Sequence, residues 1–167
     1  MGQRTSALAD QFEQALAEFA STIEAIPDDK WTTAKGPEGW TLAATAQHVS
    51  GQFPLEMEYI TAIAEGRPLP SYSWDDINGK NDGRAAKNTS VTRADVLREL
   101  RESGKSVAAY LRGLQDDQLD RTGELALTGG ATVNTQALIE GGVLIDHVRG
   151  HLASLRASIE GVSATAD

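Results

Sequence analysis

The chain has 167 residues and no cysteine, which suits one domain and excludes disulfides, zinc-thiolate sites and a cysteine nucleophile of its own. Its 24 acidic and 15 basic residues give a net charge of −9. A field of that sign repels phosphate backbones and anionic lipids, so the sequence predicts no nucleic acid and no membrane as partners. The apolar runs are too short for a membrane span, and the N-terminus lacks the apolar core of a signal peptide, which predicts a cytoplasmic protein.

Two amphipathic helices are predicted in the first part of the chain. Pro27 ends the first helix, because proline lacks an amide donor and disfavours helical geometry in the residue before it. The second helix runs from an N-cap at Thr41 to about Glu65. Apolar residues of the first helix recur at intervals of three and four, as in Leu8, Phe12, Leu16, Phe19, Ile23 and Ile26.

Two further helices are predicted in the second part. A third helix begins at Thr92, with Asp95 completing a capping-box pattern. A fourth runs without interruption from Asn134 or Thr135 to Ile159. Four long helices and no convincing strand pattern predict an all-α four-helix bundle that forms a single domain over residues 1–162, with a frayed tail at 163–167.

The connections in this bundle differ in length. Residues 66–89 form a packed crossover between the second and third helices, and residues 115–133 form a second long connection. Two long connections are typical of an up-up-down-down arrangement, which is therefore the predicted topology.

The three histidines of the chain are His48, His147 and His151. His147 and His151 are four residues apart and share one face of the fourth helix, while His48 lies midway along the second helix on a small, apolar face. Three neutral imidazoles around a divalent ion leave a coordination position open, as in catalytic zinc sites. Two other interpretations stay open from spacing alone: a core histidine at 48, and a solvated pair at 147 and 151.

The motifs around these histidines resemble a known family. The segment GWTLAATAQHV at residues 39–49 and the segment DHVRGHL at residues 146–152 resemble the DinB-like superfamily of metal-binding four-helix bundles. That superfamily includes the metal-binding domain of mycothiol-dependent maleylpyruvate isomerases. The resemblance implies that His48, His147 and His151 bind a divalent cation, commonly zinc or nickel, with water completing the shell. Family members are often homodimers, and the exposed faces of the first and third helices are candidate interfaces here.

Four further residues are candidates for the site. Glu140 lies seven positions before His147 and could orient a ligand or take a proton as a catalytic residue, or it could be a helix-start acid stabilised by the local dipole. Asn78 and Asp82 could line the pocket from the crossover, or could simply form turns. Gln52 could hydrogen-bond to a metal-bound ligand or to a neighbouring helix.

The resemblance implies a metal-dependent enzyme that acts on a small molecule. The chemistry would be thiol-dependent transfer or isomerisation with a low-molecular-weight thiol as cosubstrate, or hydrolysis by metal-activated water. The alternative is a non-catalytic protein in which the ion joins two helices or the pocket sequesters a reactive compound.

Overall fold

The computed structural model describes residues 2–161. The predicted tail at 163–167 lies outside these residues. A two-stranded antiparallel hairpin accompanies the helices, with Thr122 opposite Asn134 and Leu125 opposite Ala131, and a 3₁₀ turn at Ala126–Thr128 joins its strands. In chain order the elements are α1 (Gln3–Ala25), α2 (Asp28–Trp31), α3 (Leu42–Ala64), α4 (Trp74–Lys87), α5 (Arg93–Gly113), α6 (Asp116–Leu119), β1 (Thr122–Leu125), β2 (Ala131–Asn134), α7 (Thr135–Glu140) and α8 (Ile145–Glu160).

The four long helices α1, α3, α5 and α8 form the predicted bundle. Helices α1 and α3 each pack against α5 and α8, so α1 and α3 occupy opposite corners. One apolar cluster fills the centre, and Phe12 of α1 meets Phe53 of α3 there edge to face, with ring centroids 5.6 Å apart. No helix within residues 2–161 has both the length and the apolar character needed to cross a bilayer.

Contacts between helices fix the direction of α5. Ion pairs join Arg101 to Glu24 and Arg112 to Glu13, so α5 runs antiparallel to α1. Near the N-terminal ends of α3 and α5, the Thr41 hydroxyl donates to the carbonyl of Thr89. At the opposite ends, the side chain of Gln118, which follows α5, donates to the carbonyl of Ala64, the last residue of α3. Helices α3 and α5 therefore run parallel to each other.

Helix α8 runs antiparallel to α3, because residue 48 faces residue 151 while residue 56 faces residue 147. The bundle is therefore up-down-down-up, and the predicted up-up-down-down order is wrong. Only the connection between α3 and α5 runs from one end of the bundle to the other. The second long connection stays at one end, where α6, the hairpin and α7 use its residues.

Local signals explain the starts of two helices. The side chains of Thr41 and Thr92 accept hydrogen bonds from the amides of Ala44 and Asp95, which confirms the predicted N-caps of α3 and α5. Within the crossover, Ser73 and Asp76 form a capping box that begins α4, a helix that the sequence analysis described only as a packed segment.

The predicted fourth helix is in fact two helices. It breaks between Glu140 and Ile145, where Gly141 has extended geometry and Leu144 has φ −134° and ψ −77°. A Cβ at Gly141 would lie 2.8 Å from the carbonyl oxygen of Ala137, so the bend is built on glycine. The break lets α7 pack against β2 and α3 while α8 continues in the bundle.

Removing the aromatic ring of Phe12 tests the core. Phe12 has no exposed surface, and we expect Phe12→Ala to lower the free energy of unfolding by about 3–5 kcal/mol, because it leaves a cavity between α1 and α3. Urea denaturation measures the change. Gln11→Ala, at the exposed neighbouring position, is the control and should change it by less than about 0.5 kcal/mol. Equal effects from the two variants would contradict this packing.

Candidate metal centre

The fold brings His48, His147 and His151 together between α3 and the N-terminal half of α8. The centroid of the His48 ring lies 5.1 Å from that of His147 and 4.8 Å from that of His151. The centroids of the His147 and His151 rings are 4.7 Å apart. One ring nitrogen from each histidine lies within 4.8 Å of the other two. Helix α3 positions the first ligand and α8 positions the other two, one turn apart.

The spacing of these nitrogens fits a shared ion. The Nε2 atoms of His48 and His147 are 3.1 Å apart, while two imidazoles bound at zinc distances in tetrahedral geometry hold their nitrogens about 3.3 Å apart. The Nδ1 atoms of all three histidines are buried and have no hydrogen-bond partner among the described residues. The residues present therefore fit a divalent cation with three imidazole ligands.

Burial keeps the imidazoles in the form that binds metal. Desolvation lowers the pKa of His48 to about 2, with further contributions from His151, His147 and Arg84. Desolvation also lowers the pKa of His147 to about 4. The pKa of His151 falls to about 4 by desolvation and by the nearby His147, while the charge of Glu38 opposes this shift. In the metal-free chain all three rings are thus neutral at pH 7, and each has a lone pair available for an ion.

A buried carboxylate next to His147 is the main feature that the sequence analysis missed. Glu56 is only 4% exposed, and its Oε1 lies 2.5 Å from Nδ1 of His147. The contact has ion-pair distance without the alignment of a hydrogen bond, and Oε2 has no partner. Burial raises the pKa of Glu56 well above its ordinary value. Its sequence signal was an acidic residue on a helix stretch whose neighbours Phe53, Tyr59 and Ile60 are all buried.

Carboxylates behind metal-bound histidines fix the ring orientation and raise the basicity of the ligand. Glu56 stands in that relation to His147. Glu38 lies behind His151 in a similar way but at a longer distance, with Oε1 3.6 Å from Nδ1 of His151. Both carboxylates lie in the chain before or within α3, so the ligands on α8 depend on groups presented from α3 and the segment that leads into it.

A cavity of about 690 Å³ opens beside the three histidines. Its wall includes Gln52 from α3 and Asn78 and Asp82 from α4, three residues that the sequence analysis nominated for the pocket. Trp40 packs on His48 with ring centroids 5.1 Å apart, and its Nε1 donates to Oδ1 of Asp82 at 3.0 Å. The remaining wall is largely apolar and comes from α3, α4, the hairpin and the α7–α8 break: Leu55, Tyr59, Trp74, Ile77, Leu125, Leu127, Val133, Leu138 and Val143.

The structure does not bring Glu140 to this site. Glu140 is exposed at the end of α7, where its Oε1 accepts a hydrogen bond from Nε2 of Gln136 at 2.8 Å, and it does not line the cavity. The interruption between α7 and α8 removes the two-turn spacing that would have placed Glu140 above His147. Glu56 is the acid that lies beside this histidine.

The crossover and the hairpin meet over the cavity. Nε1 of Trp74, at the start of α4, donates to the carbonyl of Leu127 at 2.9 Å, although the tryptophan is 57% exposed. On the other side, Nη1 of Arg84 donates to Oε1 of Gln52 at 3.2 Å and ties α4 to α3. These contacts tie α4 to the turn of the hairpin and to α3.

Fold and site together define a helical bundle with a three-histidine centre facing a cavity. The sequence profile of the DinB superfamily matches residues 11–155, and the chain belongs to that superfamily. A comparison with curated protein sequences finds no significant match.

Solved structures share the fold at low identity. YfiT from Bacillus subtilis, described as a probable metal-dependent hydrolase with an unusual four-helix bundle topology, has 17% identity and a TM-score of 0.66, over 97% of this chain and 87% of that one. The mycothiol-dependent maleylpyruvate isomerase has 13% identity and a TM-score of 0.69, over 90% of this chain and 60% of that one. The colibactin self-resistance protein ClbS, in complex with double-stranded DNA, has 12% identity and a TM-score of 0.65, over 92% of this chain and 94% of that one.

The lowered histidine pKa values predict a pH-dependent stability without metal. The pKa of such a histidine is lower in the folded chain than its value of 6.5 in the unfolded chain. In acid the unfolded chain therefore binds more protons than the folded one. The folded chain keeps its full stability above pH 6.5 and loses stability as the pH falls below that value. With a chelator present, we expect the free energy of unfolding to decrease from about pH 7 to about pH 5, by up to about 2 kcal/mol per histidine.

Urea denaturation of the wild type and of His48→Gln at both pH values measures this contribution. The variant should lose less stability between about pH 7 and about pH 5 than the wild type. The raised pKa of Glu56 favours the folded chain in acid, but it does so equally in both proteins. Identical pH profiles would contradict the burial of a neutral imidazole at position 48.

The contact between Glu56 and His147 predicts a role in holding metal. We expect Glu56→Gln to weaken metal affinity about tenfold or more, because the neutral amide supports the imidazole less strongly than a carboxylate does. Competition with a chromophoric chelator measures the affinity. Glu140→Gln makes the same chemical change at an exposed position outside the cavity and should leave the affinity unaltered; a larger effect at position 140 than at 56 would reverse our assignment.

Proposed function

We propose that the protein is a divalent-metal-dependent enzyme that acts on a small molecule at the centre formed by His48, His147 and His151. One observation supports this most directly: the three imidazoles lie at the wall of a cavity of about 690 Å³. A structural metal site is closed by four protein ligands, whereas a catalytic one keeps a position open to water or substrate. Three histidine ligands facing a cavity correspond to the second type.

When bound, a divalent ion supplies Lewis-acid chemistry, which lowers the pKa of a coordinated water or thiol and polarises a substrate oxygen. The residues of the chain have separate tasks around it. The three imidazoles hold the ion, Glu56 and Glu38 orient the rings of His147 and His151, and the apolar wall limits the access of bulk water. Because most of the wall is apolar, charges within the cavity interact more strongly than they would in bulk water.

Two reaction types are compatible with this arrangement. The first is thiol-dependent transfer or isomerisation with an external low-molecular-weight thiol, and the second is hydrolysis. The chain has no cysteine, so no internal thiolate competes for the open position in either case. We favour thiol chemistry, with zinc or nickel as the ion, since one solved relative is a mycothiol-dependent isomerase, and imidazole ligands suit both metals.

A non-catalytic metal protein is the second candidate. Because His48 belongs to α3 and the other two ligands to α8, an ion would also join two helices of the bundle. An ion that only joins helices requires no accessible cavity, so the size of the cavity beside the centre argues against a purely structural ion. A pocket that sequesters a reactive compound needs the cavity as an enzyme does, and turnover of a bound compound distinguishes these two.

We propose a small molecule rather than nucleic acid as the partner. Although one fold relative is a complex with double-stranded DNA, this chain has a net charge of −9, and DNA binding depends on basic residues that neutralise phosphates. The homodimer stays a prediction that sedimentation of the purified protein would test.

Loss of one imidazole should remove the metal. We expect protein purified without an affinity tag to contain nearly one equivalent of divalent metal, and His147→Ala or His151→Ala to lose most of it, because two imidazoles alone hold an ion weakly. Elemental analysis measures the content. Arg149→Ala, at an exposed position of the same helix, should retain its metal. Retention by the histidine variants, or an empty wild type after reconstitution, would overturn the proposal.

A further inference from the structure

The charged groups on the cavity wall are of one sign. Apart from the three histidines and the phenol of Tyr59, its ionisable residues are Glu38, Glu56 and Asp82. No lysine or arginine within residues 2–161 lines the cavity, and residue 1 and residues 162–167 contain none. A ligand in this cavity therefore finds carboxylates and a metal ion but no basic side chain.

Two basic residues of α4 are engaged elsewhere. Arg84 donates to Gln52 and lines a separate groove between α3 and α5, which also contains Glu99. The ammonium group of Lys80 lies 4.4 Å above the ring of Tyr72. Neither residue lines the cavity, so neither offers a counter-ion to a ligand that enters it.

Asp82 is held in place although it is exposed. Its carboxylate accepts the hydrogen bond from Nε1 of Trp40, and the ring of Trp40 packs on His48. One aromatic side chain thus connects this carboxylate to a histidine of the metal centre. The negative charge has a defined position at the cavity wall instead of a mobile one in solvent.

The rest of the wall suits an apolar ligand. Leu55, Ile77, Leu127, Val133 and Val143 contribute alkyl surface from five different segments. Trp74 and Tyr59 add aromatic surface, which also attracts cations. A wall of alkyl, aromatic and anionic groups binds apolar or cationic molecules and repels anions.

We propose that the ligand of this cavity is a small molecule with a metal-binding group at one end, a mainly apolar body, and an uncharged or cationic group at the other end. This inference rests on the proposed metal-dependent function and narrows its substrate class. It excludes ligands whose distal end is anionic, because the wall offers no basic residue to pair with such an end.

A set of thiols that differ only in the distal group tests the charge preference. The protein is loaded with Co²⁺, and three hexanethiols ending in a hydroxyl, an ammonium or a carboxylate are titrated while the thiolate-to-cobalt absorption band is recorded. We expect the ammonium compound to bind about tenfold more tightly than the carboxylate compound, with the hydroxyl compound between them. Attraction of one end group and repulsion of the other by a carboxylate about 6 Å away, both screened by water, add up to about that ratio.

Substitution of Asp82 links the preference to the wall. Asp82→Asn preserves an oxygen that can accept the Trp40 hydrogen bond but removes the charge, and it should reduce the tenfold ratio several-fold. Asp75→Asn removes the same charge from an exposed position on α4 that does not line the cavity. This control should leave the ratio unchanged.

The outcomes separate the two proposals. Protein that takes up no Co²⁺, or loaded protein whose spectrum responds to none of the thiols, overturns the proposed enzyme and this inference with it. Loaded protein that binds the three thiols equally, or the carboxylate compound most tightly, overturns only the charge preference. An Asp75→Asn effect equal to that of Asp82→Asn would likewise overturn it, because the preference would then come from the overall charge of the protein.

Discussion

The constraint on which the rest of this structure depends is the placement of three neutral imidazoles and one carboxylic group, largely withdrawn from water, between α3 and α8. The Nδ1 atoms of the histidines, Oε2 of Glu56 and the hydroxyl of Tyr59 all lack hydrogen-bond partners among residues 2–161. Each unsatisfied buried group costs about 1–3 kcal/mol. Such a cluster opposes folding. An ion held by the opposite ring nitrogens would not pair with these atoms, but because it binds only the folded chain it would stabilise that chain by mass action and offset their cost.

The bundle topology explains why this cluster has an open side. Antiparallel α3 and α8 bring position 48 opposite positions 147 and 151. The crossover that lets α5 run parallel to α3 contains α4, whose residues form one part of the cavity wall. The connection between α5 and α8 forms the hairpin and α7, which supply the opposite part. The segments that a simpler bundle would not need are therefore the ones that surround the site.

Sequence patterns predicted those features whose information is local. The i, i+4 spacing of His147 and His151 places both rings on one helix face, and Thr41 and Thr92 mark two helix starts by their own hydrogen bonds. The role of Glu56 was hidden because its partner belongs to another helix. The hairpin strands have four residues each, too few for an alternating pattern, and Gly129 allows the turn by a φ of 72°. Helix directions were mispredicted because the length of a connection does not tell whether it crosses the bundle.

The charge of a divalent ion would account for the acidic groups around the site. Three neutral imidazoles contribute no charge, so a divalent cation would bring two positive charges into a poorly solvated region. Glu56 and Glu38 lie beside the far nitrogens of His147 and His151, where they can offset that charge without occupying a coordination position. Arg84, whose charge lowers the pKa of His48, stays behind Gln52. With the ion already balanced by the protein, an additional anionic group on the ligand would have no excess positive charge to meet. The same carboxylates that would favour metal binding would therefore also set which molecules can follow the ion into the cavity.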